Sequence, residues 1–306
     1  MARKRRGRPV NGILVLDKPS GITSNGALQR VKRLFDAAKA GHTGSLDPLA
    51  TGVLPLCLGE ATKFSHYLLD ADKGYLSTFV LGVGTDTLDI EGEEIARADA
   101  SSIDAAAVER AMIALTGALS QIPPMYSALK REGQPLYKLA RAGIEVERQP
   151  RAVTIHEFSL RGLRLGMVAE ADVVIRCTKG TYVRSLAESL GLALGVPAHV
   201  SVLRRDIAGP YQLAHAVSLD TLETLAQEGQ DALDALLTPI DDPLKALPAV
   251  QVGDSATYYL KLGQAVLVPN GPRSGMVRAY SASGLFLGVG EMLDDGRVAP
   301  RRLVVR

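Results

Sequence analysis

The feature that most constrains this chain is the stretch LTPIDDPLKALP, residues 237–248, with three prolines in twelve residues. Proline fixes its own backbone and removes an amide donor, so neither a helix nor a central strand runs through such a segment. The chain is therefore read as two units joined there. Upstream, strand-like and helix-like patterns mix without a regular strand-helix-strand beat, which favours an α+β domain over a doubly wound sheet. Downstream, GQAVLV, GMVRAY, GLFLGVGEM and GRVAPRRLVV are short apolar runs punctuated by glycine, the pattern of a small all-β module. The expected organisation is a basic tail over 1–9, a main domain over 10–245 and a terminal module over 248–306.

In the main domain, Ile13 to Leu16 reads as a short buried strand. Ser24 reads as the cap of a helix with Leu28, Val31 and Phe35 on one face. KGYLSTFVLGVGTDT has the aromatic and β-branched content of a strand, and alternation puts Tyr75, Ser77 and Phe79 on one side. Residues 104–116 carry Val108, Ala111, Met112 and Leu115 at helical spacing. A second such helix carries Val183, Leu186, Ala187 and Leu190, with Gly191 as its stop.

Composition excludes several classes. No run approaches a membrane span, and no apolar segment of a secretory signal follows Met1 to Arg8, so a cytoplasmic protein is expected. Cys57 and Cys177 sit in apolar surroundings without metal-ligand spacing and read as reduced, packed thiols. There is no phosphate loop, no complete dinucleotide fingerprint and no calcium loop, so no metal and no cofactor are expected. The formal net charge of +2 does not identify a partner, but Arg3, Lys4, Arg5, Arg6 and Arg8 cluster in a tail that suits phosphate or solubility equally.

The segment AGHTGSLDPLATG, Ala40 to Gly52, is longer and more polar than a connection needs to be. Asp47 precedes Pro48 and is biased toward a turn, where its carboxylate could bond nearby amides or serve as nucleophile or base. Lys18, Lys73 and Arg184 are the cations that could partner it. Arg184 stands out because it lies off the apolar face of its helix. Tyr75 and Tyr182 read as core aromatics, the commoner use of tyrosine in a strand or at a helix start, with pocket walls as the alternative, and spacing alone does not bring any of these residues together.

GHTGSLDPLATGVLPLCLGEATKF resembles the active-site motif of the TruB-type tRNA pseudouridine synthases. The resemblance continues in order through LDKPSGITS, KGYLSTFVLGVGTDTLDIEGE, QIPPMYSALKREGQPLYKLARAG, CTKGTYVRSLAESLG and LRRDIAGPY. It implies a pseudouridine synthase fold with a mixed, largely antiparallel central sheet flanked by helices, and a terminal PUA module that binds RNA. It implies isomerisation of the T-loop uridine at position 55 of tRNA by a base-flipping mechanism, on the T-arm stem-loop, with no obligatory protein partner and a monomeric enzyme. Asp47 matches the catalytic aspartate, Tyr75 the active-site tyrosine and Arg184 the arginine paired with the aspartate. His42, Asp89, Tyr182 and Lys18 match residues that hold or support the substrate. Lys130 and Arg141 fall in an RNA-gripping insertion over about 124–152. Three other readings compete: an RNA-binding or tRNA-folding protein whose catalysis is dispensable, a guide-dependent synthase within a ribonucleoprotein, and an unrelated small-molecule enzyme using Asp47, which would leave the PUA-like segment unexplained.

Overall fold

The structure, a computed structural model, describes residues 7–305 except 128 and 132, and omits the side chains of Lys130, Pro135 and Arg141. Ten strands form one sheet in the main domain. Along its path the order is Val217–Ser218, Gly12–Lys18, Thr51–Leu58, Ala198–Ala208, Lys73–Leu81, Ala169–Cys177, Arg151–Arg164 and Gly117–Gln121; Ala40–His42 and Tyr211–Gln212 pair off this path. Two pairings are parallel, Gly12–Lys18 with Val217–Ser218 and Thr51–Leu58 with Ala198–Ala208; the others are antiparallel. The α+β reading therefore holds.

Strands Gly12–Lys18 and Thr51–Leu58 are apolar at every other position on both faces, because both faces are covered. Leu14, Leu16, Leu54 and Leu56 join the main core with the helices, whereas Ile13, Val15, Val53 and Cys57 join a second cluster on the opposite side. Strand Lys73–Leu81 differs. Tyr75, Ser77 and Phe79 point inward as alternation predicts, while Leu76 on the other face is 41% exposed.

The helix cap falls one residue earlier than expected. Thr23 is the N-cap of Ser24–Leu34 and accepts from the Gly26 amide at 3.0 Å. Ser24 lies inside the helix and its hydroxyl is taken by Leu46, accepting from its amide at 2.7 Å and donating to its carbonyl at 3.0 Å. Gly191 also departs from its expected role, because helix Val183–Ala193 runs through it. A Cβ there would lie 2.6 Å from that of Ala198 and 2.7 Å from the Val196 carbonyl, so this glycine permits a close helix-strand approach.

The terminal module is a five-stranded sheet ordered Ala249–Val252, Gly275–Ser281, Phe286–Met292, Arg297–Leu303, Val266–Leu267. It also contains a helix, Asp254–Lys261, that the glycine-punctuated pattern does not announce. The proline-rich stretch is packed: Leu244 is buried with Phe64, Phe286 and Val289 where the module meets the main domain. Phe64 and Phe286 stand 5.5 Å apart, and the Lys63 ammonium donates to the Leu303 carbonyl at 2.9 Å. Phe64→Ala is expected to cost about 3–5 kcal/mol of stability by opening a cavity in this junction, read as a shifted denaturant midpoint.

Of the basic tail expected over 1–9, residues 1–6 lie outside the described residues; Arg8 is held, forming a fork with both Asp234 carboxylate oxygens at 2.5 and 2.6 Å and donating to the Phe35 carbonyl. Its guanidinium is a fixed bridge to the main domain.

Candidate active site

The loop between strands Ala40–His42 and Thr51–Leu58 is fastened on several sides. Asp47 opens a turn whose Ala50 amide donates to the Asp47 carbonyl at 3.1 Å, with Pro48 at the position where its fixed φ suits the bend. Ser24 holds Leu46, Thr43 donates to the Pro55 carbonyl, and the Gly21 amide donates to the Pro48 carbonyl at 2.9 Å. The Lys18 ammonium donates to the carbonyls of Ile22 at 2.7 Å, Pro19 at 2.8 Å and Pro48 at 3.3 Å. The turn reading and a chemical role for Asp47 are thus compatible: the backbone makes the turn and leaves the carboxylate free to face the site.

That carboxylate meets Arg184. Helix Val183–Ala193 begins at Tyr182, whose peptide is clamped by Gln121: the Tyr182 amide donates to Oε1 at 3.0 Å and Nε2 donates to the Tyr182 carbonyl at 3.3 Å. The first turn therefore projects Arg184 at a fixed height. Its guanidinium lies 3.0 Å from Asp47 and 3.2 Å from Asp89, and it donates to the carbonyls of Thr87 at 2.9 Å and Tyr126 at 2.7 Å. One cation links the Asp47 loop, the turn at residues 87–89 and the start of the 124–152 segment.

Burial pushes the Asp47 carboxyl above its ordinary value, and Asp89 adds to this; Arg184 and Lys18 pull the other way. An arginine partner alone predicts a depressed value. The difference arises because the carboxylate, although its side chain keeps 38% of its accessibility, is closely surrounded by protein and shares its cation with a second acid.

Asp47, Tyr75, Tyr182 and Arg184 line one cleft of about 410 Å³, together with Lys73, Ser127, Leu203 and Arg205. Burial also raises the Tyr75 and Tyr182 hydroxyls, so both rings are neutral walls at ordinary pH. Other sequence-derived residues lie elsewhere. Asp89 is buried behind Arg184, where it accepts from the Thr87 hydroxyl at 2.6 Å and the Glu91 amide at 3.1 Å. Lys18 has no exposed surface and sits under the loop, so its place is structural support, away from the cleft. His42 is off the cleft wall; its Nδ1 is buried without a partner among the described residues, and burial with nearby Arg205 favours the neutral ring. Lys130 and Arg141 belong to the strand Lys130–Arg131 and helix Leu136–Arg141, but their side chains are outside the description.

Of the other lining residues, Lys73 is among the cations the sequence offers as partners of Asp47, whereas Arg205 and Ser127, and Gln121 behind Tyr182, carry no such signal in the motif reading. Arg205 was findable: in strand Ala198–Ala208 it falls in phase with inward Leu203, and a charge in that phase is the anomaly to look for.

Lys18→Met is expected to cost about 2–4 kcal/mol, since three carbonyls lose their donor while the cost of burying an ammonium is relieved. Burial holds this ammonium down at about 8 against an ordinary 10.5. The unfolded chain binds the extra proton between these values, so the margin of the unaltered protein over Lys18→Met widens as pH rises through that window. Denaturant melts at several pH values would check both statements.

A single mixed sheet flanked by helices, with an aspartate turn, an inward tyrosine and an arginine at a helix start gathered at one cleft, is the architecture of a pseudouridine synthase fold. Comparison with known proteins agrees. Residues 32–183 match the TruB family pseudouridylate synthase N-terminal domain, residues 184–245 the tRNA pseudouridylate synthase B C-terminal domain, and residues 248–304 the pseudouridine synthase II TruB C-terminal domain. The chain belongs to the TruB family of pseudouridylate synthases. It is 53% identical to tRNA pseudouridine synthase B of Saccharophagus degradans, over 99% of this chain and 98% of the relative, and 54% identical to that of Stutzerimonas stutzeri, over 98% of each. Among solved structures, an H/ACA ribonucleoprotein bound to a substrate RNA containing 2′-deoxyuridine matches with a TM-score of 0.72 at 21% identity, covering 100% of this chain and 92% of that one, a likeness of fold.

Proposed function

We propose that this protein isomerises the T-loop uridine at position 55 of tRNA to pseudouridine, as a cytoplasmic monomer that needs no protein partner. The observation that carries the reading is one cleft in which Asp47, ion-paired to Arg184 at 3.0 Å, faces the inward wall of Tyr75. The names of the relatives supply the tRNA. A glycosidic bond within a stacked loop is hidden, so the nucleotide is flipped out and its base enters the cleft between Tyr75 and Tyr182. Asp47 attacks the ribose at C1′; the uracil leaves with the bonding pair, turns, and forms the new bond through C5 as Asp47 departs, after which the C5 proton is removed with the help of Tyr75 and the freed ring nitrogen carries a proton in its place. Arg184 orients the carboxylate and keeps its charge available against the desolvation of a closed site. Lys130, Arg141 and the rest of the 124–152 segment grip the stem, and the 248–306 module, read as PUA, extends the footprint through phosphate contacts that salt weakens.

The test is release of tritium to water from unmodified tRNA labelled at uridine C5, incubated with the purified protein alone. Release is expected without guide RNA or added protein. Its absence would favour the guide-dependent or the purely RNA-folding alternative.

A further inference from the structure

Arg205 is 1% exposed, and among the described residues no carboxylate lies within 4.0 Å of its guanidinium. A buried cation without an acid partner is costly, and such groups concentrate where charge is used. Its known bonds are to neutral backbone. Nε donates to the Val53 carbonyl at 2.7 Å, in strand Thr51–Leu58, and Nη2 to the Gly44 carbonyl at 3.2 Å, in the loop that carries Asp47. The strand pairing sets Arg205 directly opposite Tyr75, which puts the two side chains on the same face of the sheet, and both line the cleft. Arg184 does not fill this place, because its four bonds are made to Asp47, Asp89, Thr87 and Tyr126.

We propose that Arg205 is a positioning residue for Tyr75, fixing its hydroxyl toward the base and supplying the countercharge while that oxygen exchanges protons with the detached uracil. This rests on the synthase reading above. In the exchange, the hydroxyl proton passes to the uracil, which left the sugar with the electron pair of the glycosidic bond. The proton lost from C5 as the new bond is completed then returns to the tyrosyl oxygen. The enzyme ends as it began and no external base is consumed. Between the two transfers Tyr75 is a phenolate in a buried site, and Arg205 is the cation that faces it. Tyr75 is otherwise held well above its ordinary value by burial, with Arg205 the foremost opposing influence.

The decisive measurement does not depend on turnover. Tyr75 is replaced by 3,5-difluorotyrosine, whose lower pKa brings the titration into the range where the protein is folded, and its fluorine resonance is followed against pH. In Arg205→Gln, with Arg205→Met as a second uncharged variant, the midpoint is expected to rise by about one pH unit or more, the effect of losing a cation at close range. Arg205→Lys, which keeps the charge, should restore most of the shift. In single turnover on C5-labelled tRNA, Arg205→Gln is expected to be ~100-fold slower with RNA affinity within a few fold, and to add little to the loss caused by Tyr75→Phe. An unmoved midpoint overturns the proposal, as does failure of both uncharged variants to fold, since Arg205 would then act only as the frame joining Gly44 to Val53. Lack of tritium release by the unaltered protein would instead overturn the synthase reading.

Discussion

Asp47→Asn is expected to release no tritium from C5-labelled tRNA above background, a loss of at least ~10⁴-fold in single-turnover rate, while RNA affinity stays within a few fold. The amide preserves shape but is no nucleophile. The fastenings of the loop are made elsewhere, through the Asp47 carbonyl, Leu46 and Pro48, so the site keeps its frame. Asp89, with only 5% of its side chain accessible, remains to neutralise Arg184. The same variant is expected to be more stable at neutral pH. Burial raises the folded carboxyl above its ordinary 3.8, so its ionised form costs stability at pH above the folded value, and that cost disappears as pH falls below 3.8. Asp47→Asn should therefore melt above the unaltered protein at pH 7 and beside it at low pH, the trade of stability for activity common at catalytic groups. Equal tritium release from the variant would remove Asp47 as the nucleophile.

Much of the frame is written in local patterns. The alternation of Tyr75, Ser77 and Phe79, the helical spacing of Val108 and Met112, and the proline-dense boundary all concern residues whose neighbours in sequence decide their environment. The site is different in kind. Asp47, Tyr75 and Arg184 come from a loop, a strand and a helix start, and only the order of strands Thr51–Leu58, Ala198–Ala208 and Lys73–Leu81 brings them to one cleft. No periodicity encodes that order, and a family resemblance supplied it. Resemblance also has limits, because it names residues without saying how they are placed. Lys18 and Asp89 were carried over as substrate contacts, yet both are buried behind the residues they support. Ser24 and Gly191 were misread for a related reason: each residue type has a common local use, as cap and as stop, and here a tertiary contact claims it instead. The net effect of burial on Asp47 was likewise invisible, since the shared cation and the crowding depend on Asp89 lying on the far side of Arg184.

Arg184→Lys is expected to slow single turnover by roughly 10²–10³-fold with little change in RNA affinity, and to move the acid limb of the rate to higher pH. The reason is geometric before it is electrostatic. The guanidinium serves Asp47 at 3.0 Å, Asp89 at 3.2 Å and the carbonyls of Thr87 and Tyr126 at once, with donors spread over a rigid plane. An ammonium is a compact charge with three donors at one point, and in this setting it is drawn to the more buried acid: Asp47 keeps 38% of its side-chain accessibility and Asp89 only 5%. Asp47 then loses both its orienting bond and the nearest charge that lowers its carboxyl. Since burial already holds that carboxyl above the ordinary range, weakening Arg184 raises it further, and the fraction ionised falls first at acidic pH. Raising the pH should recover the part of the loss that comes from protonation and leave the part that comes from misorientation. Single-turnover rates from pH 5 to 9 separate the two: a limb displaced upward with a reduced plateau supports both roles, whereas an unmoved limb with a lowered plateau would confine Arg184 to orientation alone.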